Sequence, residues 1–275
     1  GVGRLFDGGR TSGRYPLAYN THHTIRGFEM NATDRLLESL DNDAPVRQIL
    51  IGAFWTAVVL DTEPIRAGLS SALRAETGGP WPPVRQPGRL HGRSGRELAE
   101  LMRSERILEA SIGIAAFNAL LEVDETPMTE RNAEEIILEH GTGKRVAIVG
   151  HFPFIDRVRA ATSDCWVLEL RPGPGDLPAN QAAEVLPQAD VVALTGTSLL
   201  NHTFDGLMAL CRRDAFVLLL GPSVPMAPVL FEAGVKALSG TVVDDPAQVL
   251  LSLSQGATFR QIKRGGGLRL LTWAR

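Results

Sequence analysis

Apolar positions along this chain fall into two kinds of pattern. From Val46 the stretch VRQILIGAFWTAVVL is rich in β-branched and aromatic residues and closes on the turn-like Asp61-Thr62-Glu63-Pro64, so strands are expected there. IRAGLSSALRAE reads as a returning strand, and GGPWPPVRQPG as a Gly/Pro loop. Ser94-Gly-Arg-Glu97 fits a capping box, so a helix should follow it. Apolar residues at Ile107, Leu108, Ile112, Ala115, Ala116 and Leu120 recur at helical spacing and predict a second helix with one buried stripe. Strands followed by helices make this half α+β.

After a junction within Asp124 to Lys144, marked by Pro127, an Asn132-Ala-Glu-Glu135 cap and the stop Gly141-Thr-Gly143, the pattern changes. RVAIVG, CWVLEL, DVVALTG and AFVLLLG are continuous apolar runs, each followed by a loop and a helix-compatible segment. Strands buried on both faces and joined by crossovers look like this, so a doubly wound parallel sheet is expected. The expected division is an extension over residues 1–29, an α+β domain over 30–140 and an α/β parallel-sheet domain over 141–275. The extension carries glycine, arginine, isolated aromatics and the pair His22-His23 without a period that builds a core face. A first amphipathic helix is expected just after Met30.

With 44% hydrophobic and 21% charged residues in 275, the chain has the make-up of a globular protein and not of a disordered one. A net charge of -3 gives no reason to expect nucleic acid or an anionic membrane as partner. No apolar run approaches the roughly 20 residues that span a bilayer. Cys165 and Cys211 stand far apart without C-x-x-C spacing, so neither a disulfide framework nor a zinc knuckle is suggested. A cytoplasmic protein with a small-molecule ligand is the expectation, and a homo-oligomer is compatible with it.

In an open parallel sheet, ligands bind beyond the carboxyl ends of the strands. Here those ends carry Gly150-His151-Phe152-Pro153, then Glu169, then Thr195-Gly196-Thr197-Ser198, then Gly221-Pro222-Ser223. A histidine, a carboxylate, hydroxyls and glycine-bounded amides should therefore meet on one rim. Pro153 suits the first turn of a helix, which would aim amides near His151 at an anion. The first run reaches Gly150 but never completes G-x-G-x-x-G, so NAD in its usual mode is not expected. Each residue also has a local explanation. His151 could cap the helix behind it, Glu169 stands nineteen residues after Gly150 where a ribose-binding acid would lie, the glycine and serine turns could be only turns, and Asn201 could cap a helix or address a ligand.

The stretches VGHFPFID, LELRPGPGDLPANQAAEVLPQADVVALTGTSLLNHTF and LLLGPSVPMAPVLFEAGVKALSG resemble the putative heavy-metal-chelation family, from about Lys144 to Asp245. IGAFWTAVVL and EASIGIAAFNALL are similar to its usual partner domain. The resemblance implies a Rossmann-like domain preceded by a smaller domain like the N-terminal domain of enolase, with a polar cleft between them. It implies that the cleft receives His151 and the loops at Thr195 and Gly221 from one side, and Glu109, Ser111 and Asn118 of EASIGIAAFN from the other. Enolase chemistry is not implied with the enolase-like fold.

Two functions then stand side by side. In the first, the cleft takes a metal chelate or anionic metabolite of metal-cofactor metabolism, with His151 and Glu169 or Glu109 as ligands to a divalent transition metal. In the second, it is an enzyme site for a small anionic metabolite with a nucleotide-like or methyl-donor cofactor, and His151 is the general acid or base. With six histidines, two of them in the extension, and no Cys/His cluster, a closed structural metal site is not expected.

Overall fold

The computed structural model describes residues 30–73 and 80–275; the extension, with His22 and His23, lies outside the described residues. The chain opens with α1 (Ala32–Glu38), capped by Asn31, whose side chain accepts from the Asp34 amide. Three antiparallel strands follow in spatial order, β1 (Val46–Ile51), β2 (Trp55–Leu60) and β3 (Ala67–Ser71). The Ser94–Glu97 capping box starts α2 (Gly95–Ala99), and α3 (Ile107–Leu120) lies against β2 and β3. Gly68 permits that contact, because a Cβ there would fall 2.2 Å from the Ala115 carbonyl oxygen and 2.3 Å from the Ala119 nitrogen. The expectation of a single buried stripe on α3 is corrected: from Glu109 onward only Asn118 is partly exposed. The helix is enclosed because α2 and the turn at Glu100–Arg103 also pack on it.

α4 (Ala133–Gly141), capped by Asn132, leads into the second sheet. Its elements are β4 (Arg145–Val149), α5 (Ile155–Ala161), β5 (Asp164–Glu169), β6 (Leu177–Pro178), α6 (Ala182–Val185), β7 (Val191–Thr195), α7 (Thr197–Leu200), α8 (Phe204–Leu210) and β8 (Phe216–Leu220). They continue with α9 (Val229–Glu232), β9 (Ala237–Val243), α10 (Pro246–Ser254), α11 (Phe259–Gly265) and β10 (Leu268–Ala274). The strands lie in the order β10-β9-β8-β7-β4-β5-β6, all parallel except β10, which runs antiparallel to β9. The four apolar runs are the four central strands. Counted from β4, the order is 3-2-1-4-5-6 plus an antiparallel edge, the doubly wound arrangement, and its direction reverses between β4 and β7.

Alternation along the strands sends Val146, Ile148, Val191, Ala193, Leu218 and Leu220 to one face, into a core shared with α4 and α5. Ala147, Val192, Leu194, Val217 and Leu219 point to the other face, where the core runs on without a break into α3 and β2. The antiparallel sheet thus shares one hydrophobic core with the parallel one, and α7 packs on α3 at the junction. A third apolar cluster joins β2 and β3 to α10, α11 and Leu268. Both junctions fix the antiparallel sheet beside the carboxyl ends of β7 and β8. Among the described residues no helix is long and apolar enough to cross a membrane.

Candidate functional site

The parallel ladder continues one residue past each of three strands: the Gly150, Gly196 and Gly221 amides donate to Leu168, Leu220 and Ser239 carbonyls at 3.0, 2.8 and 2.9 Å. The chain then turns. Gly150 has φ +107°, a left-handed conformation that a side chain resists, and an added Cβ would also lie 3.1 Å from Thr195 Cβ. Glycine at this position turns the chain sharply and sets His151 at the rim.

A cleft of about 530 Å³ opens there, at the reversal of strand order. Its floor comes from the strand ends: His151 to Phe154, Thr195 to Thr197 and Gly221 to Ser223. The antiparallel sheet contributes Trp55 and Ser71, α4 and α5 contribute Glu134 and Arg157, and the C-terminal elements supply Phe259, Arg260, Lys263 and Leu270. Of the residues expected on the rim, His151, Thr195, Gly196, Thr197, Gly221, Pro222 and Ser223 do meet in one cleft.

Their hydrogen bonds differ. His151 is exposed over 58% of its side chain, yet its Nδ1 lies 3.1 Å from Oδ2 of Asp176, whose side chain is 2% exposed. Thr195 and Thr197 share a hydroxyl contact of 3.0 Å. Ser223 Oγ accepts from the Ser71 amide at 2.9 Å and donates to Ser71 Oγ at 3.0 Å, joining the end of β3 to the loop after β8. Glu134 takes an ion pair from Arg157. Arg260 and Lys263 are exposed on α11. Phe152 stacks on Phe154, with ring centroids 5.3 Å apart, and Trp55 is tilted against Phe259 at 5.6 Å.

Other expected site residues are placed elsewhere. Glu109 is 1% exposed and accepts from the Arg85 amide at 2.6 Å, from the Arg85 guanidinium at 2.8 to 3.1 Å and from Ser104 Oγ at 2.7 Å. Burial opposes its charge, but these donors outweigh burial and hold its carboxyl below the usual range. Ser111 donates to the Ser71 carbonyl at 2.8 Å and accepts from Thr56 Oγ1 at 2.7 Å, and Asn118 donates to the Leu69 carbonyl while its buried Oδ1 has no partner among the described residues. All three tie α3 to its neighbours, and none lines the cleft. Asn201 accepts from the amide and hydroxyl of Thr203 just before α8, a turn contact and not a cap, since α8 has no side-chain cap. Glu169 accepts from the Leu170 amide and is not among the lining residues, so the carboxylate beside His151 is Asp176 instead. Pro153 does not begin a helix: α5 starts at Ile155, after a turn closed by the Ile155 amide on the Phe152 carbonyl.

What the sequence left out is Asp176, Trp55, Ser71, the Glu134–Arg157 pair, Phe259, Leu270 and the basic face of α11. Asp176 hides among the glycines and prolines of RPGPGD, where turn composition is the stronger signal. The spacing Arg260-x-x-Lys263 puts two cations on one helical face and is a local sign of a charged wall.

Among the described residues no three of His, Cys, Asp and Glu are grouped to hold a metal ion. A family model described as "Putative heavy-metal chelation" matches residues 132–272, and a second with the same description matches residues 33–121. An uncharacterized protein of Methanocaldococcus jannaschii, MJ0500, is 28% identical over 164 residues, 57% of this chain. The chain spans 63% of that relative's length. Two crystal structures of family members with unknown function share the fold. One, from Desulfitobacterium hafniense DCB-2, is 26% identical with a TM-score of 0.73, covering 88% of this chain and 97% of that one. The other, from Pyrococcus horikoshii, is 18% identical with a TM-score of 0.75, covering 88% and 98%. The chain belongs to the DUF364 family, whose model carries the description of heavy-metal chelation.

Proposed function

We propose that the cleft at the strand ends binds a small organic anion, and that any metal arrives as cargo already wrapped by that anion. The observation that carries this reading is the charge of the walls. Arg157, Arg260 and Lys263 stand around the cleft, and Glu134, the one carboxylate lining it among the described residues, is paired with Arg157. Arg260 and Lys263 are left facing a ligand beside the hydroxyls of Thr195 and Thr197. Cationic side chains with neutral donors select negative charge. The aromatic walls at Trp55, Phe152, Phe154 and Phe259 give the organic part apolar contact and lower the local dielectric.

A bare heavy-metal ion does not fit this donor set. His151 offers one free ring nitrogen, Asp176 is taken by His151, Arg159 and the Gly173 amide, and Glu134 is taken by Arg157. Thiolates are the preferred ligands of soft metals, and neither Cys165 nor Cys211 lines the cleft. Metal held by several carboxylates of a chelator presents the anionic surface that the walls suit. The family description supports metal as the cargo of such a ligand.

Calorimetric titration with citrate, with nickel citrate and with nickel ion alone tests the reading. Citrate and its nickel complex should bind, more weakly as salt rises from about 0.05 to about 0.5 M. The double substitution Arg260→Ala and Lys263→Ala should weaken both by about tenfold. Stoichiometric binding of free nickel, indifferent to that substitution, would replace the anion reading with a protein-built metal site.

A further inference from the structure

We propose that Asp176 is the positioning residue of an acid–base dyad, holding His151 as its Nδ1–H tautomer so that Nε2 presents a lone pair to the cleft. The inference rests on the proposed anion site only for where the base acts. A carboxylate can only accept, and among the described residues Arg159 and the Gly173 amide both donate to Asp176. The Gly173 amide reaches Oδ2 at 3.1 Å, and Arg159 reaches Oδ1 at 3.4 Å while also donating to the Gly175 carbonyl at 2.9 Å. His151 Nδ1, 3.1 Å from Oδ2, must therefore carry the hydrogen in this contact. Nε2 is left bare on an imidazole that is mostly exposed and lines the cleft.

The placement is rigid. Leu177, the next residue after Asp176, pairs with Leu168 as β6 joins the sheet, and the Asp176 amide donates to the Gly173 carbonyl at 3.0 Å. The Asp176 carboxylate is thereby fixed from below while the ring it orients stands in the open. An exposed imidazole adds little to a loop already held by Arg159 and Gly173, so the contact serves the ring more than the loop. The same logic orients the histidine of hydrolytic triads and of metal sites, where a carboxylate behind one nitrogen fixes what the other can do. In the reaction step, Nε2 takes a proton from an O–H or N–H of the bound anion. The imidazolium formed keeps Nδ1–H on the Asp176 carboxylate and returns the Nε2 proton to the product or to water.

The test uses full-length protein with 15N-labelled histidine rings, His151 being assigned by the signals lost in His151→Gln. At pH about 8.5, where imidazole is neutral, wild-type His151 should show Nδ1 protonated and Nε2 bare, the reverse of free histidine. Asp176→Asn should shift the ring toward the Nε2–H form. Its acylation by diethyl pyrocarbonate, mapped by peptide mass and referred to exposed His91, should slow about tenfold. Arg159→Gln, which loosens the loop and spares the carboxylate, should leave tautomer and acylation unchanged. Nε2–H in the wild type overturns the dyad whether or not the variant folds, and so does a folded Asp176→Asn protein with unaltered tautomer and acylation. Citrate titration of the same proteins keeps the two proposals apart: loss of citrate binding with the wild-type tautomer in place fails the anion reading alone.

Discussion

Glu109, Ser111 and Asn118 on α3, and His151, Thr195 and Thr197 at the strand ends, are polar residues of similar types set among apolar neighbours. In the fold they part. Glu109 and Ser111 are buried, at 1% and 0% exposure, and give their polar atoms to neighbouring backbone and side chains. His151 has a buried partner behind it and solvent in front, and the two threonine hydroxyls bond mainly to each other on a cleft wall. A polar side chain spent inside the fold holds elements together, whereas one with unspent capacity facing a cavity is available to a ligand. The difference is one of hydrogen-bond accounting and not of residue type.

The packing of α3 tolerates the least change. In Gly68→Ala the new methyl would meet backbone atoms of Ala115 and Ala119 at 2.2 and 2.3 Å, and backbone cannot swing aside. A loss of more than about 4 kcal/mol is expected, seen as unfolding at much lower denaturant or as insoluble protein. Gly221→Ala on the rim meets nothing within 4 Å and suffers only from its φ of +117°, so about 1–2 kcal/mol is expected. Equal losses at the two positions would show that the rim is packed as tightly as the helix.

Next in size is Glu109→Ala. It removes a buried carboxylate with four hydrogen-bonding contacts to Arg85 and one to Ser104. The expected cost is about 2–3 kcal/mol, with citrate affinity in the remaining folded protein unchanged within about twofold. Affinity that falls with stability would return Glu109 to the ligand set.

The same residue fixes a sign with pH. Its folded-state carboxyl titrates below the ordinary value of 4.5, so its stabilisation is complete above that value and is lost as pH falls through the lowered one. Asp190, held well below the usual carboxylate range by hydrogen bonds from Arg145, with Arg212 adding to them, contributes in the same direction. Thermal midpoints should stay flat from pH 8 to about pH 5 and drop below about pH 4. Glu109→Gln should lower the plateau and make the acid slope shallower. An unchanged slope would mean that Glu109 is not ionised by virtue of its partners.

The central sheet was legible because β4, β5, β7 and β8 are covered on both sides and so appear as unbroken apolar runs. Elements at the margin lack that constraint. β6 is two residues ending in Pro178, β9 mixes Ser239, Gly240 and Thr241 into its apolar residues, and β10 carries Arg269 and Thr272 among its apolar residues at the sheet edge. Rim residues next to strand ends were legible for the same reason, since the strand's end dictates where they stand. The other walls were not. Trp55 lies 96 positions from His151 and Lys263 lies 112, and only the packing of β2 and α11 around the shared core brings them to the cleft. Asp176 is nearer in sequence, but nothing local distinguishes a carboxylate that turns back to a histidine from one that serves a turn. Resemblance puts the three polar residues of EASIGIAAFN in the cleft, whereas the enclosure of α3 buries Glu109 and Ser111 and leaves Asn118 half-buried against β3.

Ser223 stands on the line between the two groups, and its substitution gives the smallest and most discriminating effect. It lines the cleft like Thr195 and is 1% exposed like Glu109. Its one hydroxyl proton goes to Ser71 Oγ, and one of its lone pairs takes the Ser71 amide. By the accounting above it is already spent, clamping β3 to the loop after β8. Ser223→Ala should therefore cost about 1–2 kcal/mol through the abandoned Ser71 amide, while citrate affinity changes by no more than about twofold. Denaturant unfolding and calorimetry of the one variant give both numbers. A Ser223→Ala protein as stable as the wild type but at least about tenfold weaker for citrate would mean that a hydroxyl bonded within the fold still exchanges its partners for a ligand. Hydrogen-bond capacity would then no longer separate the residues that build this cleft from those that read what enters it.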